Sequence, residues 1–219
     1  MMTPALRRVT FTTHLTSSVG WVGAAMAFLA LAVIGVTSDD ERIVRGAYLV
    51  MAPAAWFVLV PLAHASLLSG IALSLGTTWG LFRHYWVVLK LGITVFATVI
   101  LLIYMGTFGQ MAGVAADPVL DLAVVRNASP IVHAILALIL LLAATVLGVY
   151  KPFGMTAYGR RKHDEQRQGI TSATLARPAN APAVDDRGPA RWTYLFGIIA
   201  LSIVLLFVLL HFIGSGLHH

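Results

Sequence analysis

Long apolar runs, separated by short polar or charged gaps, fill most of this chain. Each run has about 20 residues or more, which is enough for an α-helix to cross a hydrocarbon layer of about 30 Å. None of the runs contains Asp or Glu. The pattern predicts five membrane-spanning helices, at roughly 11–36, 48–75, 84–106, 129–150 and 193–213.

The runs are apolar almost all round, as in 135–147 and 198–210. This suits helices that contact lipid on one face and neighbouring helices on the other. A closed β-barrel needs short alternating strands instead, and the sequence has none of that pattern. We therefore expect an all-α polytopic membrane protein, with an up-down four-helix bundle and a fifth, C-terminal transmembrane helix.

The basic residues are placed asymmetrically between the runs. If every run spans, one side carries most of the Lys and Arg outside the membrane, whereas the other has three Arg among five acidic residues. The positive-inside rule then predicts a cytoplasmic N-terminus and an outside C-terminus in a plasma membrane. The residues on the basic side are Arg7, Arg8, Arg83, Lys151, Arg160, Arg161, Lys162, Arg167, Arg177, Arg187 and Arg191.

The segment between the fourth and fifth runs begins with a basic patch and continues as a polar stretch without apolar periodicity. The stretch 163–190 is rich in Ala, Pro, Asp, Arg and Gln, which is typical of a flexible linker. We therefore predict three parts: a bundle over 1–155, a cytoplasmic basic linker over 156–191 and a final transmembrane helix over 192–219.

Composition excludes several kinds of chemistry. Charged residues make up 11% of the chain, against about 25% in soluble proteins. Cys is absent, which rules out disulfides and thiolate ligands and leaves His as the favoured metal or haem ligand. The formal net charge of +6 lies mostly in loops beside the spans, so we expect contact with anionic lipid at the cytoplasmic face and no nucleic-acid partner.

Two histidines lie at similar depth near the start of the first and third runs. His14 and His84 both lie near the start of a helix that enters the membrane from the predicted cytoplasmic side. The first and third helices of an up-down bundle face each other across the core. Two imidazoles so placed predict the axial ligands of a haem b, with Arg83, Lys90 or the basic residues of 151–162 paired to its propionates. The alternative for Lys90 is that its side chain snorkels to the cytoplasmic interface. Interfacial hydrogen bonding and a proton-related role for the two rings remain open.

The second run carries Pro53, Pro61 and His64. Two prolines predict a bent helix whose freed carbonyl groups need partners, and His64 can supply one. The alternative is that His64 joins His14 and His84 as a third metal ligand. His133 begins the fourth run at the opposite side of the membrane, too far away to share their site.

Three motifs resemble a known family. The segments THLTSSVGWVG (13–23), WGLFRHYWVVLK (79–90) and VYKPFGMTAYG (149–159) look like those of an uncharacterised actinobacterial family of predicted integral membrane proteins. The pattern in the first run is also similar to the copper-resistance-D type four-helix membrane domain. The resemblance covers about residues 10–160 and implies metal handling or a b-type haem bundle in a bacterial plasma membrane.

Two functions follow as hypotheses. The first is a small haem- or metal-binding redox bundle that uses His14 and His84. The second is a non-catalytic accessory or scaffold protein that docks a membrane partner, a second copy of itself or anionic lipid. Ion-coupled transport is disfavoured because the spans lack acidic residues, and the chain contains no phosphate-binding loop or nucleophile elbow.

Overall fold

The computed structural model describes residues 2–77, 80–151 and 154–173, and this part of the chain is helical apart from its connections. The all-α class predicted from the sequence is confirmed for these residues. In chain order the helices are α1 (Pro4–Thr37), α2 (Glu41–Ala54), α3 (Val60–Gly76), α4 (Tyr85–Ala116), α5 (Ser129–Tyr150) and α6 (Ala157–Ala173).

Four helical segments are long and apolar enough to cross a membrane. They are α1, a second segment from Glu41 to Gly76 that joins α2 to α3, α4, and α5. These correspond to the first four predicted spans, and they make the chain a multi-pass membrane protein. The predicted fifth span at 193–213, with the C-terminal part 192–219, lies outside the described residues.

The starts of α1, α2 and α5 are marked by a capping side chain, by proline or by both. Thr3 accepts a hydrogen bond from the backbone N–H of Leu6 and is followed by Pro4, which suits the first helical position. Asp40 caps α2 by accepting from the N–H of Arg42. α5 starts at Ser129 with a proline directly after it and has no side-chain cap. Side-chain caps therefore mark the starts of α1 and α2, whereas proline marks the start of α5.

The four spans pack in a ring. α1 packs against the second span and α5, and α4 packs against the same two neighbours from the other side. α1 and α4 consequently face each other across the core, which is the diagonal arrangement expected for the first and third spans. The bundle has two ends: the basal end, with the starts of α1 and α4 and the ends of α3 and α5, and the distal end opposite.

The interior and the outer surface are both apolar. Large side chains fill the core, while many others point away from the bundle, such as Phe57, which is 81% exposed. A soluble protein rarely carries so continuous an apolar exterior. The surface is the one expected of helices that contact lipid. The largest fully buried side chains are Tyr48, Met51, Met111, Leu140, Leu147 and Val44.

A π-helical turn interrupts the second span between its two prolines. It covers Ala55–Leu59, directly after Pro53 and before Pro61. Proline has no N–H to donate and disturbs the regular α-helical ladder, so a wider turn is a reasonable local solution. Ala55 and Leu59 are buried on the core side of the turn, whereas the three residues between them are exposed.

Two arginines close the distal end. Arg126 donates to the backbone oxygens of Val36 and Ser38 at the end of α1. Arg45 donates to backbone oxygens at and beyond the end of α4, and it pairs with Glu41. Helix C-termini carry exposed carbonyl groups and partial negative charge, so cations there are favourable.

At the basal end a short strap ties α4 to the chain that follows α5. His84 and Met155 form an isolated antiparallel bridge, and the N–H of Thr156 donates to the carbonyl oxygen of Arg83 at 2.9 Å. α6 then starts against this strap. Gly159 is needed there, because a Cβ would overlap the carbonyl oxygen of Arg83.

α6 differs from the expectation for the linker. The sequence analysis predicted no regular structure over 163–190, but the part up to Ala173 is helical. Lys162 and Glu165 form an ion pair one turn apart, which stabilises a solvated helix. This charged helix has no apolar period, so the periodicity criterion could not detect it. The rest of the linker lies outside the described residues.

Candidate functional site

A cavity of about 440 Å³ lies inside the basal end of the bundle. Its wall comes from α1, α3, α4 and the last turn of α5, so all four spans contribute. Pockets of roughly 300–1,000 Å³ are typical of small-molecule sites. The polar and charged side chains in the wall include Arg7, His14, Ser66, Lys90, Thr94 and Lys151.

His14 is held by α3 on one side and approached by α4 on the other. Its Nδ1 lies 3.0 Å from the carbonyl oxygen of Ser66 and 3.2 Å from the hydroxyl oxygen of Ser69. A carbonyl oxygen can only accept, so Nδ1 carries the proton. The other ring nitrogen, Nε2, lies 3.2 Å from Nζ of Lys90. A neutral ring then accepts a hydrogen bond from the ammonium group.

Two glycines leave room for this pair. A Cβ at Gly70 would lie 3.0 Å from Cε1 of His14, and one at Gly148 would lie 3.1 Å from Nζ of Lys90. Both distances are shorter than ordinary van der Waals contact. The faces of α3 and α5 that meet the cavity are therefore shaped around the imidazole and the ammonium group.

The serines beneath His14 also join α1 to α3. Ser66 and Ser69 are buried, and the hydroxyl oxygen of Ser66 lies 2.8 Å from that of Ser18. Small hydroxyl side chains allow two helices to approach closely and to share hydrogen bonds within the membrane. The orientation of His14 is consequently fixed by the packing of α1 on α3.

The charge in the cavity is of one sign. Lys90 is half-buried, Arg7 and Lys151 are exposed at the edge, and none of the described residues in the wall is Asp or Glu. In the described part of the chain, the ion pairs within 4 Å are Arg45 with Glu41, Lys162 with Glu165 and His163 with Asp164, none of which involves Lys90. The structure thus places a cation inside an apolar bundle with a histidine as its hydrogen-bonded neighbour.

The structure places the residues of the predicted haem site in two groups. His14 and Lys90 are together in the cavity wall, whereas His84 and Arg83 are not part of it. His84 precedes α4 instead of lying on it, and its backbone belongs to the strap with Met155. The structure does not bring His84 to the cavity beside His14, and their role as a pair of haem ligands stays a prediction.

His64 has a local contact. Its Nδ1 lies 2.8 Å from the carbonyl oxygen of Val60, one turn earlier in the same helix. The carbonyl groups that Pro53 and Pro61 leave without an i+4 donor are those of Leu49 and Phe57, so the predicted role of His64 as their partner stays a prediction. Within residues 2–77, 80–151 and 154–173, no three His, Cys, Asp or Glu side chains gather into a group that could hold a metal ion.

A second polar cluster lies toward the distal end. The rings of Tyr104 and His133 stack with centroids 4.2 Å apart, and the Tyr104 hydroxyl lies 2.9 Å from that of Ser129. His133 Nδ1 lies 2.8 Å from the carbonyl oxygen of Ser129. Tyr104 and His133 border a small apolar cavity of about 70 Å³. His133 is therefore remote from the basal cavity, as its place in the sequence predicted.

His14 and Lys90 are both conspicuous in the sequence, but their contact was not predicted. The contacts of His14 with Ser66 and Ser69 were not predicted either. A usable signal existed, because Ser66, Ser69 and Gly70 recur at three- and four-residue spacing on one face of a helix.

Comparison with known proteins found no match to this chain: no protein-family model matches it, nor does any curated protein or solved structure. The fold and the site therefore define a class only, that of a multi-pass α-helical membrane protein. The resemblance to an actinobacterial membrane-protein family and to the copper-resistance-D type domain stays a prediction.

Proposed function

We propose that this protein is an integral membrane protein of the bacterial plasma membrane that binds an anionic ligand in the basal cavity, with Lys90 as the counter-charge. The Lys and Arg bias supports a cytoplasmic position for the basal end, with the N-terminus inside and the C-terminus outside. The cavity would then be loaded from the cytoplasm or from the inner leaflet.

The observation that carries the proposal is the half-buried ammonium group of Lys90 in a cavity whose described wall residues include no acidic side chain. A charged group inside a membrane protein is costly unless it is paired, and such groups mark sites for substrates or ions. Arg7 and Lys151 add positive charge at the cavity edge. An anion in the cavity would compensate the charge of Lys90.

His14 supports the proposal through its hydrogen bonds. Because Nδ1 faces the Ser66 carbonyl group, Nε2 is left to accept from Lys90. A neutral acceptor orients the ammonium group without cancelling its charge. Two of the three ammonium protons remain available to ligand oxygens. The Thr94 hydroxyl is also in the wall, but it donates to the backbone oxygen of Lys90 at 2.9 Å.

Thermal unfolding of the full-length protein in an uncharged detergent tests the proposal. Acetate and phosphate are titrated in a buffer of low chloride concentration. A ligand at 100 times its Kd stabilises the folded state by about 2.7 kcal/mol, which corresponds to a rise in Tm of about 5–10 °C for a chain of this size. We expect this rise in the wild type and its loss in Lys90→Gln.

Lys162→Gln is the matched control, since it removes a cation at an exposed helix outside the cavity. This variant should retain the full anion response. Equal responses in the wild type and Lys90→Gln would contradict the proposal. Lys90→Arg keeps the charge and should keep part of the response, which separates loss of charge from damage to the fold.

The second candidate function is the haem-binding redox bundle. It is favoured by one observation: His14 is an imidazole in the wall of a cavity that also carries Arg7, Lys90 and Lys151 for propionates. A haem would supply one-electron chemistry, and these residues would hold and orient it. The fit is incomplete, because Nε2 of His14 already faces Lys90 and His84 is not in the wall.

An absorbance spectrum decides between the two functions. After supplementation with haem, a Soret band that is lost in both His14→Ala and His84→Ala would support the redox bundle. His133→Ala is the control, since this ring lies toward the other end of the bundle. A protein without a Soret band that still responds to anions through Lys90 would support the first proposal alone.

The predicted contact with anionic lipid has its own support. Arg160, Arg161 and Lys162 lie on α6, directly after the basal end of α5. Basic segments next to a span are attracted to anionic headgroups. A purely accessory protein, docked to a membrane partner or to a second copy, would share this contact. It would not show anion binding that depends on Lys90.

A further inference from the structure

We infer that the ligand of the basal cavity is a long-chain amphiphile with a single negative charge, such as a fatty acid, whose carboxylate meets Lys90 and whose chain lies between α1, α3 and α4. The inference rests on the proposed anion site and names its ligand class.

The size and lining of the cavity exceed what a small anion needs. An apolar cavity of about 150 Å³ is enough to hold benzene, and this one has about 440 Å³. Apolar side chains make up much of the wall and have no use for an inorganic ion, whereas they would bury methylene groups. They are Phe11, Leu67, Leu73, Val87 and Leu91.

The depth of Lys90 matches the headgroup level. α5 has 22 residues and is therefore about 33 Å long, close to the thickness of the hydrocarbon layer. Gly148, which lies against Nζ of Lys90, is in the last turn of α5. The ammonium group is thus near the edge of the hydrocarbon, where an amphiphile of that leaflet carries its head.

The wall of the cavity is accessible at Phe11. This side chain lines the cavity and is 56% exposed. A chain could therefore enter sideways from the bilayer. One half-buried ammonium group with a neutral imidazole beside it suits a monoanion, because a phosphate monoester carries up to two charges and is typically bound by forked arginines.

Photolabelling of the full-length protein in phosphatidylcholine nanodiscs tests the inference. The probe is a long-chain fatty acid with a diazirine in the middle of its chain, and labelled peptides are mapped. We expect label concentrated in 66–76 and 86–94, at least tenfold lower in Lys90→Gln and unchanged in Lys162→Gln. Unlabelled palmitate should displace the probe, whereas acetate at equal concentration should not.

Acetate separates the inference from the proposed function, because it carries the carboxylate without the chain. Acetate should raise Tm through Lys90 but should not displace the probe at the concentration at which palmitate does. If acetate and palmitate displace the probe equally well, and this displacement depends on Lys90, the inference of a long-chain ligand is wrong but the proposed anion site is retained. Label spread over outward residues such as Phe57, with no effect of Lys90→Gln, overturns the inference. If acetate also produces no Tm response that depends on Lys90, the proposed function fails as well.

Discussion

Removing the Arg45 guanidinium should destabilise the distal end of the bundle more than any other single change to a distal charge. Arg45 donates from Nη1 to the carbonyl oxygen of Asp117 at 2.8 Å and from Nη2 to that of Leu120 at 2.9 Å. It also bonds to Glu41 at 2.6 Å. The side chain joins the first turn of α2 to the end of α4 and the loop after it.

The size of the loss in unfolding free energy depends on how exposed the Arg45 side chain and its partners are. The Arg45 side chain is 15% exposed, whereas that of Glu41 is 65% exposed. The ion pair itself therefore contributes about 0–1 kcal/mol. Hydrogen bonds from a charged donor contribute about 1.5–3 kcal/mol each, but water can replace part of them at a helix end. We expect Arg45→Ala to lower the free energy of unfolding by about 2–4 kcal/mol.

For a chain of this length, that loss lowers Tm by about 5–15 °C. Thermal unfolding in a mild detergent, followed by circular dichroism, measures it. Arg42→Ala is the matched control, because Arg42 is one turn away, exposed, and uses only its backbone N–H to bond Asp40. A change below about 0.5 kcal/mol in Arg45→Ala, or an equal loss in Arg42→Ala, would refute the reasoning.

Three other predictions concern packing and charge. Gly35→Ala places a methyl group on the ring of buried Tyr48 and should cost about 1–3 kcal/mol, measured by thermal unfolding; an unchanged Tm would show that the ring can move aside. Gly159→Ala should separate α6 from the strap before α4, and a distance between spin labels on the two elements should lengthen and broaden; an unchanged distance would contradict the close approach. The hydrogen bond between Lys162 and Glu165 is the main cause of two pKa shifts: it lowers the pKa of the Glu165 carboxyl and raises that of the Lys162 ammonium group. The pair therefore stabilises α6 fully between the unfolded-state carboxyl pKa of 4.5 and the unfolded-state ammonium pKa of 10.5. This stabilisation is lost as pH falls through the lowered carboxyl pKa or rises through the raised ammonium pKa. The difference in ellipticity between the wild type and Glu165→Gln should therefore vanish at both extremes of pH. A difference that does not depend on pH would be inconsistent with the pair.

The number and diagonal order of the described spans could be predicted from the sequence, because apolar length and alternating direction determine them. The residues at which the helices begin and end could not be predicted in this way. α1 begins at Pro4, well before the predicted start at 11, because Thr3 caps it and its first turns are polar. α4 likewise continues to Ala116, beyond the predicted end at 106. A hydropathy pattern indicates the membrane-embedded part of a helix, whereas hydrogen bonding determines where the helix ends.

The candidate site was only partly predictable. Lys90 and His14 stood out because polar side chains are rare in apolar runs. Their contact could not be inferred, since it depends on the rotation of α1 against α4 about their own axes. His84 had the right depth, but its backbone pairs with Met155, far away in the sequence. A contact between the residue before α4 and a residue after the end of α5 leaves no local signal in either segment.

The π-helical turn at Ala55–Leu59 connects two halves of one span that must both face inward. Val44 and Tyr48 are buried before it, and Ser66 and Ser69 are buried after it. Deleting one residue from the turn would restore a regular α-helix and rotate α3 by about 100° relative to α2. The serines would then swing away from His14, and the imidazole would lose the acceptor that determines its tautomer. An insertion within a lipid-facing helix would thus control the protonation geometry of a side chain on another helix.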